Sequence, residues 1–368
     1  MKKILVLLFL FTQLFAYAQV GGTPYMQPSS TNGSAVVTKY TCVNDFSPSS
    51  PFNSIAGGVL KVGTPVSGVT QSIIARVATI GTYNITTTTA NGLTFSGSGT
   101  FTQTGNQTIQ LTATGTPIAK GNNTFTINTV PNCGCDRYTS ETGVYASVNG
   151  TLTDFATHNL RANTNLDPTT YVVGVDGTGT DGTLGALYQW GRTTDGHELR
   201  NSVTEVGPKG PTDLIAGKFI KFSGNWLSPS DNTWSDTKGP NDPCPPGFRV
   251  PSRTQWVNTY RVGGNSGNPY SGGGIQPNQN TWTWTGNGYF VGPLLFLPAA
   301  GSRVGTSGLL NANDSGRYWS STPRVGGSGQ PYATLLFFNS NGFVQLPGGS
   351  GQGFADKSTG CSVRCISE

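Results

Sequence analysis

GTYNITTTTANGLTFSGSGTFTQTGNQTIQLTATGTP, residues 81–117, reads with a period of two. Tyr83 and Ile85 alternate with polar neighbours, and Leu93 with Phe95 does the same. Ile109, Leu111 and Ala113 repeat the pattern, and Phe125 with Ile127 carries it past the quoted stretch. Successive side chains of a strand point to opposite faces, so each set gathers apolar groups on one side and Thr, Asn or Gln on the other. Asn91-Gly92, Gly105-Asn106 and Gly121-Asn122 fall between the runs and are the residues hairpin turns need. Short strands at this spacing predict an all-β sandwich of immunoglobulin-like type over residues 41–131. Its interior should hold Phe95, Phe101, Ile109, Leu111 and Phe125.

Outward from this stretch the chain changes character twice. At the N-terminus, Lys2 and Lys3 precede the apolar run Ile4 to Phe11, and Ala16-Tyr17-Ala18 ends it. That is the pattern of a Sec-type secretory signal over residues 1–18, cut before Gln19. The run is too short to span a bilayer, and no Cys follows the cut to take a lipid. Residues 19–40 are rich in Gly, Ser, Thr and Pro and read as an extended arm or linker. On the other side, Asn132-Cys133-Gly134-Cys135 marks a Cys-containing linker at 132–140. All seven tryptophans lie at or beyond Trp190, which places a second kind of domain over 141–368. Gly-rich stretches at 174–185, 263–274 and 324–330 read as long loops.

Composition narrows the function classes. Charged residues make up only 11 % of the chain, and the formal net charge falls from +5 to +3 once Lys2 and Lys3 leave. So weak and even a balance excludes a nucleic-acid partner and a membrane-surface patch. Six cysteines in an exported chain predict disulfides rather than a metal site.

The Thr-rich stretch of 81–117 resembles repeats of large surface proteins of the Bacteroidota. The second half carries LYQWGRTTDGHE (187–198), NDPCPPGFRVPSRTQW (241–256), LPAAGSR (297–303), GRYWSST (316–322) and CSVRCIS (361–367). In content and order these segments resemble the Fibrobacter succinogenes major paralogous domain. That family's fold is like that of C-type lectins and formylglycine-generating enzymes. The resemblance implies an α+β C-type-lectin-like domain over 141–368 and a disulfide between Cys244 and Cys365. It implies no particular activity, since members of the family generally have none assigned.

The residues also speak for themselves. Ser252 and Gln255 have capping-box spacing, which predicts a helix starting there and carrying Trp256 toward a sheet. Trp190, Trp256 and Trp319 read as core. Leu294-Leu295-Phe296-Leu297 and Leu335-Leu336-Phe337-Phe338 read as buried strands. Cys361 and Cys365 are too far apart on one extended strand to bond each other, and Cys133 and Cys135 too close. Cys42 and Cys133 bracket the sandwich, so a bridge between them would clamp its ends, and Cys135–Cys361 would then tie the termini of the second domain together, among the 15 connectivities that six cysteines allow.

Three functional readings follow. An enzyme is not expected: His158 and His197 are the only histidines, and no nucleophile-elbow, paired-carboxylate or zinc-protease motif is present. His197 reads as held by Asp195 and Glu198. The mismatch of Cys361 and Cys365 with a copper-binding pair argues against formylglycine chemistry. The favoured reading is an adhesin-like binding or assembly module recognising a glycan or a protein at the cell envelope. Its ligand contacts are expected at Gln276, Asn278, Trp282, Trp284, Tyr289, Asn313 and Asp314, with no catalytic residue, cofactor or metal. Trp282, Trp284 and Tyr289 alternate either as an exposed aromatic row for stacking on sugar rings or as an amphipathic strand that buries both indoles. The alternative is a structural subunit of an extracellular or envelope complex or filament. The chain stops three residues after Cys365, so no separate C-terminal sorting domain is expected, and either a periplasmic or a surface location stays open.

Overall fold

The computed structural model describes residues 33–43, 58–129, 132–173, 182–207, 216–221, 233–260, 280–304, 308–310, 312–327, 329–341, 344–345, 347–348 and 351–368. Among them the chain is nearly all β, with one α-helix at Arg253–Tyr260.

The first half is built from two sheets around one core. Five antiparallel strands lie in the order Val36–Cys42, Thr70–Thr79, Gly105–Gly115, Leu93–Phe101, Gly81–Thr86. A smaller sheet joins Leu60–Lys61, Gly134–Ser140 and Gly121–Thr126. Ile73, Leu93, Phe95, Phe101 and Leu111 from the larger sheet share one cluster with Leu60, Phe125 and Cys135 from the smaller. Ile109 packs against that cluster half-buried. The alternation in 81–117 thus does what a period of two requires.

The Asn91-Gly92 turn closes as its sequence indicates. Both residues have positive φ, 49° and 74°, and a Cβ on Gly92 would lie 2.4 Å from the Thr116 carbonyl. The Asn91 side chain accepts from the Ala119 N–H and donates to Thr139 Oγ1, so this turn ties the two sheets together.

Three boundaries differ from the sequence expectation. The sheet begins inside the expected arm, at Val36, and residues 132–140 are no linker, because Gly134–Ser140 is the middle strand of the smaller sheet. Its alternation is hidden by the buried polar residues Arg137, Thr139 and Ser140. In place of a long loop at 324–330, the two long strands reach Val325 and Pro331, and Gly326 N–H donates to the Gln330 carbonyl at 2.8 Å. Residues 174–181 and 263–274 lie outside the described residues.

The second half is organised by the hairpin Ser315–Val325 with Pro331–Asn339. Tyr318, Leu336 and Phe338 enter one core with Trp256, Leu295 and Leu297. Trp319, Leu335 and Phe337 enter another with Trp190, Trp234 and Val363. Both faces of this ribbon are therefore buried, which is why Leu335 to Phe338 is a continuous apolar run rather than an alternating one. The expected α+β character amounts, among the described residues, to the single helix. Its capping box is formed: the Ser252 hydroxyl accepts from the Gln255 N–H at 3.1 Å, and the Gln255 side chain accepts from the Ser252 N–H at 2.9 Å.

Buried arginines hold the loops of this sparsely charged chain. Arg137 donates to the carbonyls of Thr70 and Gly58, Arg200 to those of Gly185 and Ala300, and Arg364 to those of Ala156 and Thr157. A loop carbonyl removed from water needs a donor, and a guanidinium offers several in one plane.

Cys244 is bonded to Cys365, the pairing the resemblance implies, with Cα atoms 5.8 Å apart. The other expected pairings need correction. Cys42 is bonded to Cys135, with Cα atoms 5.4 Å apart, and Cys133 and Cys361 are free. Cys135 points inward from its strand onto the end of Val36–Cys42, so it cannot reach for Cys361. Cys361 sits in the second half opposite Tyr188, where burial pushes its thiol up to about 12.

Candidate functional site

The aromatic residues expected to bind ligand lie on a three-stranded meander, Trp282–Trp284, Gly288–Val291 and Leu295–Pro298. Trp284 is paired across to Tyr289 and on to Leu297, and Trp282 to Val291 and on to Leu295. Cross-strand partners share a face, and this face is the one turned to the core. Tyr289 is only 4 % exposed, and Trp282 and Trp284 are half-buried on an edge strand. Their rings pack on Tyr260, Tyr289 and Phe338 at centroid distances of 5.2–6.5 Å. Of the two arrangements this alternation allows, the structure shows the inward one, with the indoles forming a lid on the core's rim. Trp282 Nε1 is buried with no hydrogen-bond partner among the described residues. Gln276 and Asn278 lie outside the described residues.

This packing makes a prediction. Replacing Trp282 and Trp284 together by Ala should destabilise the protein by about 3 kcal/mol or more, toward the low end for buried tryptophans. A denaturant titration checks this, and a change under about 0.5 kcal/mol would return both indoles to the surface.

Asn313 and Asp314 occupy a different place. Both are exposed on the turn that leads into Ser315–Val325, and Asn313 has a φ of 69°. Their turn belongs to a set joined through the backbone. Asn313 N–H donates to the Ala299 carbonyl at 2.7 Å, and Ala299 N–H to the Asn287 carbonyl at 2.8 Å. Ser340 N–H donates to the Asp314 carbonyl at 2.8 Å, and the Ser340 hydroxyl to the Asp314 carboxylate. The Asn287 side chain in turn donates to the Thr169 carbonyl at 2.5 Å. Amide, hydroxyl and carboxylate groups of Asn287, Asn313, Asp314 and Ser340 are thus collected at one end of the second half. Behind them stand the rigid strands at Gly288–Val291, Ser315–Val325 and Pro331–Asn339. The Asn287 amide is taken up within this set, by the Thr169 carbonyl and the Thr285 hydroxyl, so the side chains turned to solvent are those of Asn313 and Asp314, whose amide and carboxylate can exchange hydrogen bonds with a polyhydroxylated or peptide ligand. Asn287 and Ser340 escaped the sequence reading, although the Asn287-Gly288 and Ser340-Asn341-Gly342 turn signals could have found them.

A second polar cluster, Asp195, His197 and Glu198, has its ligating atoms close enough to hold a metal. Its bonds are already committed. His197 Nδ1 donates to Asp195 Oδ1 at 2.7 Å, and Nε2 accepts from the Gln189 N–H at 3.1 Å. Glu198 Oε2 accepts from the Gly196 N–H at 2.8 Å, while Oε1 faces Arg161 Nε at 3.4 Å as an ion pair without hydrogen-bond alignment. Arg192 closes the group on Asp195 Oδ2 at 2.7 Å. His197 and Glu198 are fully buried and Asp195 is partly exposed, so the cluster is a joint within the fold. His158 is also engaged on both nitrogens, by Thr157 and the Leu166 carbonyl.

No family model, no curated protein and no solved structure matches this chain.

The buried joint sets a pH dependence. Burial holds His197 below its ordinary 6.5 despite the Asp195 hydrogen bond, and burial likewise lowers His158. Burial alone would raise Asp195, but hydrogen bonds from His197 and Arg192 outweigh it and keep the carboxylate ionised well into acid. The folded histidines resist a proton that the unfolded chain takes up near pH 6.5. The contribution of the two histidines to stability is therefore full above that pH and falls below it, by up to about 1.4 kcal/mol per pH unit for each. Denaturant midpoints at about pH 7.5 and 5.5 should show this loss, and His197→Asn should flatten the slope. An equal slope in that variant would remove His197 from the account.

Proposed function

We propose that this protein is an exported, non-enzymatic envelope module that binds a glycan, in the manner of an adhesin, through the turn face of its second half. The observation that carries the proposal is the hydrogen-bonded set of turns at Asn287, Ala299, Asn313–Asp314 and Ser340, exposed at its tips and rigid at its base. Loops held by a stiff scaffold are where binding groups are usually placed.

Further support comes from where the quoted segments fall. Trp190, Val250, Trp256, Trp319 and Val363, all within them, are fully or almost fully buried. The segments resembling the Fibrobacter major paralogous domain thus build interior, leaving the turns between them free to differ in what they recognise. On this reading the first half is an immunoglobulin-like spacer and the second a C-type-lectin-like head. Export is supported by the secretory pattern of residues 1–18 and by two disulfides, which suit an oxidising compartment. No helix among the described residues is long and apolar enough to cross a membrane.

A glycan array with the oxidised chain tests the proposal. Retention of a defined sugar class is the expected result. Failure to retain any glycan, with a purified envelope protein bound at the same turns instead, would favour the structural-subunit reading.

A further inference from the structure

Three cysteines meet at one end of the first half. Cys42 ends the strand Val36–Cys42, and its sulfur is bonded to Cys135. Cys133 lies just before the strand Gly134–Ser140 that carries Cys135, and its sulfur reaches the same place. The Cys133 Sγ lies 2.8 Å from Cys42 Sγ, and all three sulfurs lie within 4.8 Å of one another. The two candidates for Cys42 differ in access: Cys135 is fully buried, whereas Cys133 is half-buried and packs against the edge of the core.

We propose that Cys42, Cys133 and Cys135 form a disulfide-exchange site in which the free thiol passes between an accessible position, Cys133, and a sealed one, Cys135. In the step, the Cys133 thiolate attacks Cys42 Sγ, the Cys42–Cys135 bond breaks, and Cys135 leaves as a thiolate that takes up the proton lost by Cys133. One disulfide and one thiol stand on each side, so no oxidant or reductant is needed. With Cys135 bonded, Cys133 is open to mixed-disulfide formation with an external disulfide. With Cys133 bonded, the remaining thiol is inside the core and the attachment point is withdrawn. Both isomers clamp Cys42 to the same strand end, so the sandwich keeps its closure while its surface chemistry changes. Burial raises the Cys133 thiol above its ordinary value, which makes exchange slow at neutral pH and faster in base.

The test uses the oxidised full chain, incubated over a range of pH, quenched in acid, and labelled with a maleimide in acidic denaturant. Fragmentation of the tryptic peptide 121–137 then locates the label. The expected result is label on both Cys133 and Cys135, the minor isomer being about one-tenth of the population or more. Its rate of appearance from a trapped single isomer should rise about tenfold per pH unit while Cys133 is mostly protonated. In parallel, Cys135→Ser should form the Cys42–Cys133 bond, and Cys133→Ser should abolish native labelling by a small aromatic disulfide. Label on Cys133 alone at every pH would overturn the proposal, and the wild-type experiment decides it even where a variant fails to fold. A folded Cys135→Ser protein with Cys42 and Cys133 both reduced would overturn it equally.

Discussion

Replacing Cys244 and Cys365 together by Ser is expected to lower the unfolding free energy by about 2–5 kcal/mol. The bond spans 121 residues, and the chain-entropy model gives about 5 kcal/mol for a loop of that length, commonly an overestimate. The bond also anchors a closing joint. Beside it, Phe248–Arg249 pairs with Ile366–Ser367, and the Cys365 carbonyl accepts from the Ala156 N–H at 2.8 Å. Cutting it frees the chain end from the loop that leads into the helix, so the loss should exceed that of an average point change. Denaturant unfolding of both proteins checks the figure, and a loss under about 1 kcal/mol would show that the ladder alone holds the joint.

Trp256→Ala should cost a similar amount, about 3–5 kcal/mol. Trp256 is fully buried in the first turn and a half of the helix, in ring contact with Phe155 and Tyr318. Its Nε1 donates to the Trp319 carbonyl at 3.1 Å. A helix of eight residues has little stability of its own, so its docking rests on this side chain together with its cap. Helical circular dichroism should fall along with stability. A variant that keeps both would mean that the cap and Val257 suffice.

How much of this was legible in sequence depended on whether one periodicity governed a segment. Residues 81–117 alternate, and they form three neighbouring strands of one sheet with the apolar set turned to the core. Leu335 to Phe338 was legible as a buried strand for the opposite reason, since a ribbon between two cores has no polar face. The capping box at Ser252 and Gln255 was equally local and formed as read.

Legibility failed where a partner distant in sequence decides the outcome. Gly134–Ser140 buries Arg137, Thr139 and Ser140, and that Arg137 donates to the carbonyls of Gly58 and Thr70 is invisible from the strand itself. Cys133 and Cys135 both bring their sulfurs to Cys42, so bracketing could not choose between them. Trp282 and Trp284 alternate as an exposed row or an inward one would. Only their pairing with Tyr289 and Val291 turns them to the core. Of the expected ligand residues, Asn313 and Asp314 fall on the turn face, because turn residues at strand ends stay exposed whatever the strands pack against.

The most direct test of the proposed binding face is the affinity of the oxidised chain for a glycan retained on the array, measured beside an Asn313→Gly/Asp314→Ala variant. Gly keeps the positive φ that Asn313 adopts, so the backbone of the turn is preserved while the side chains are removed. The expected result is a fall in affinity of about tenfold or more, with the unfolding midpoint nearly unchanged, as for other exposed substitutions. Unaltered affinity in a fully folded variant would contradict it and move recognition away from these turns.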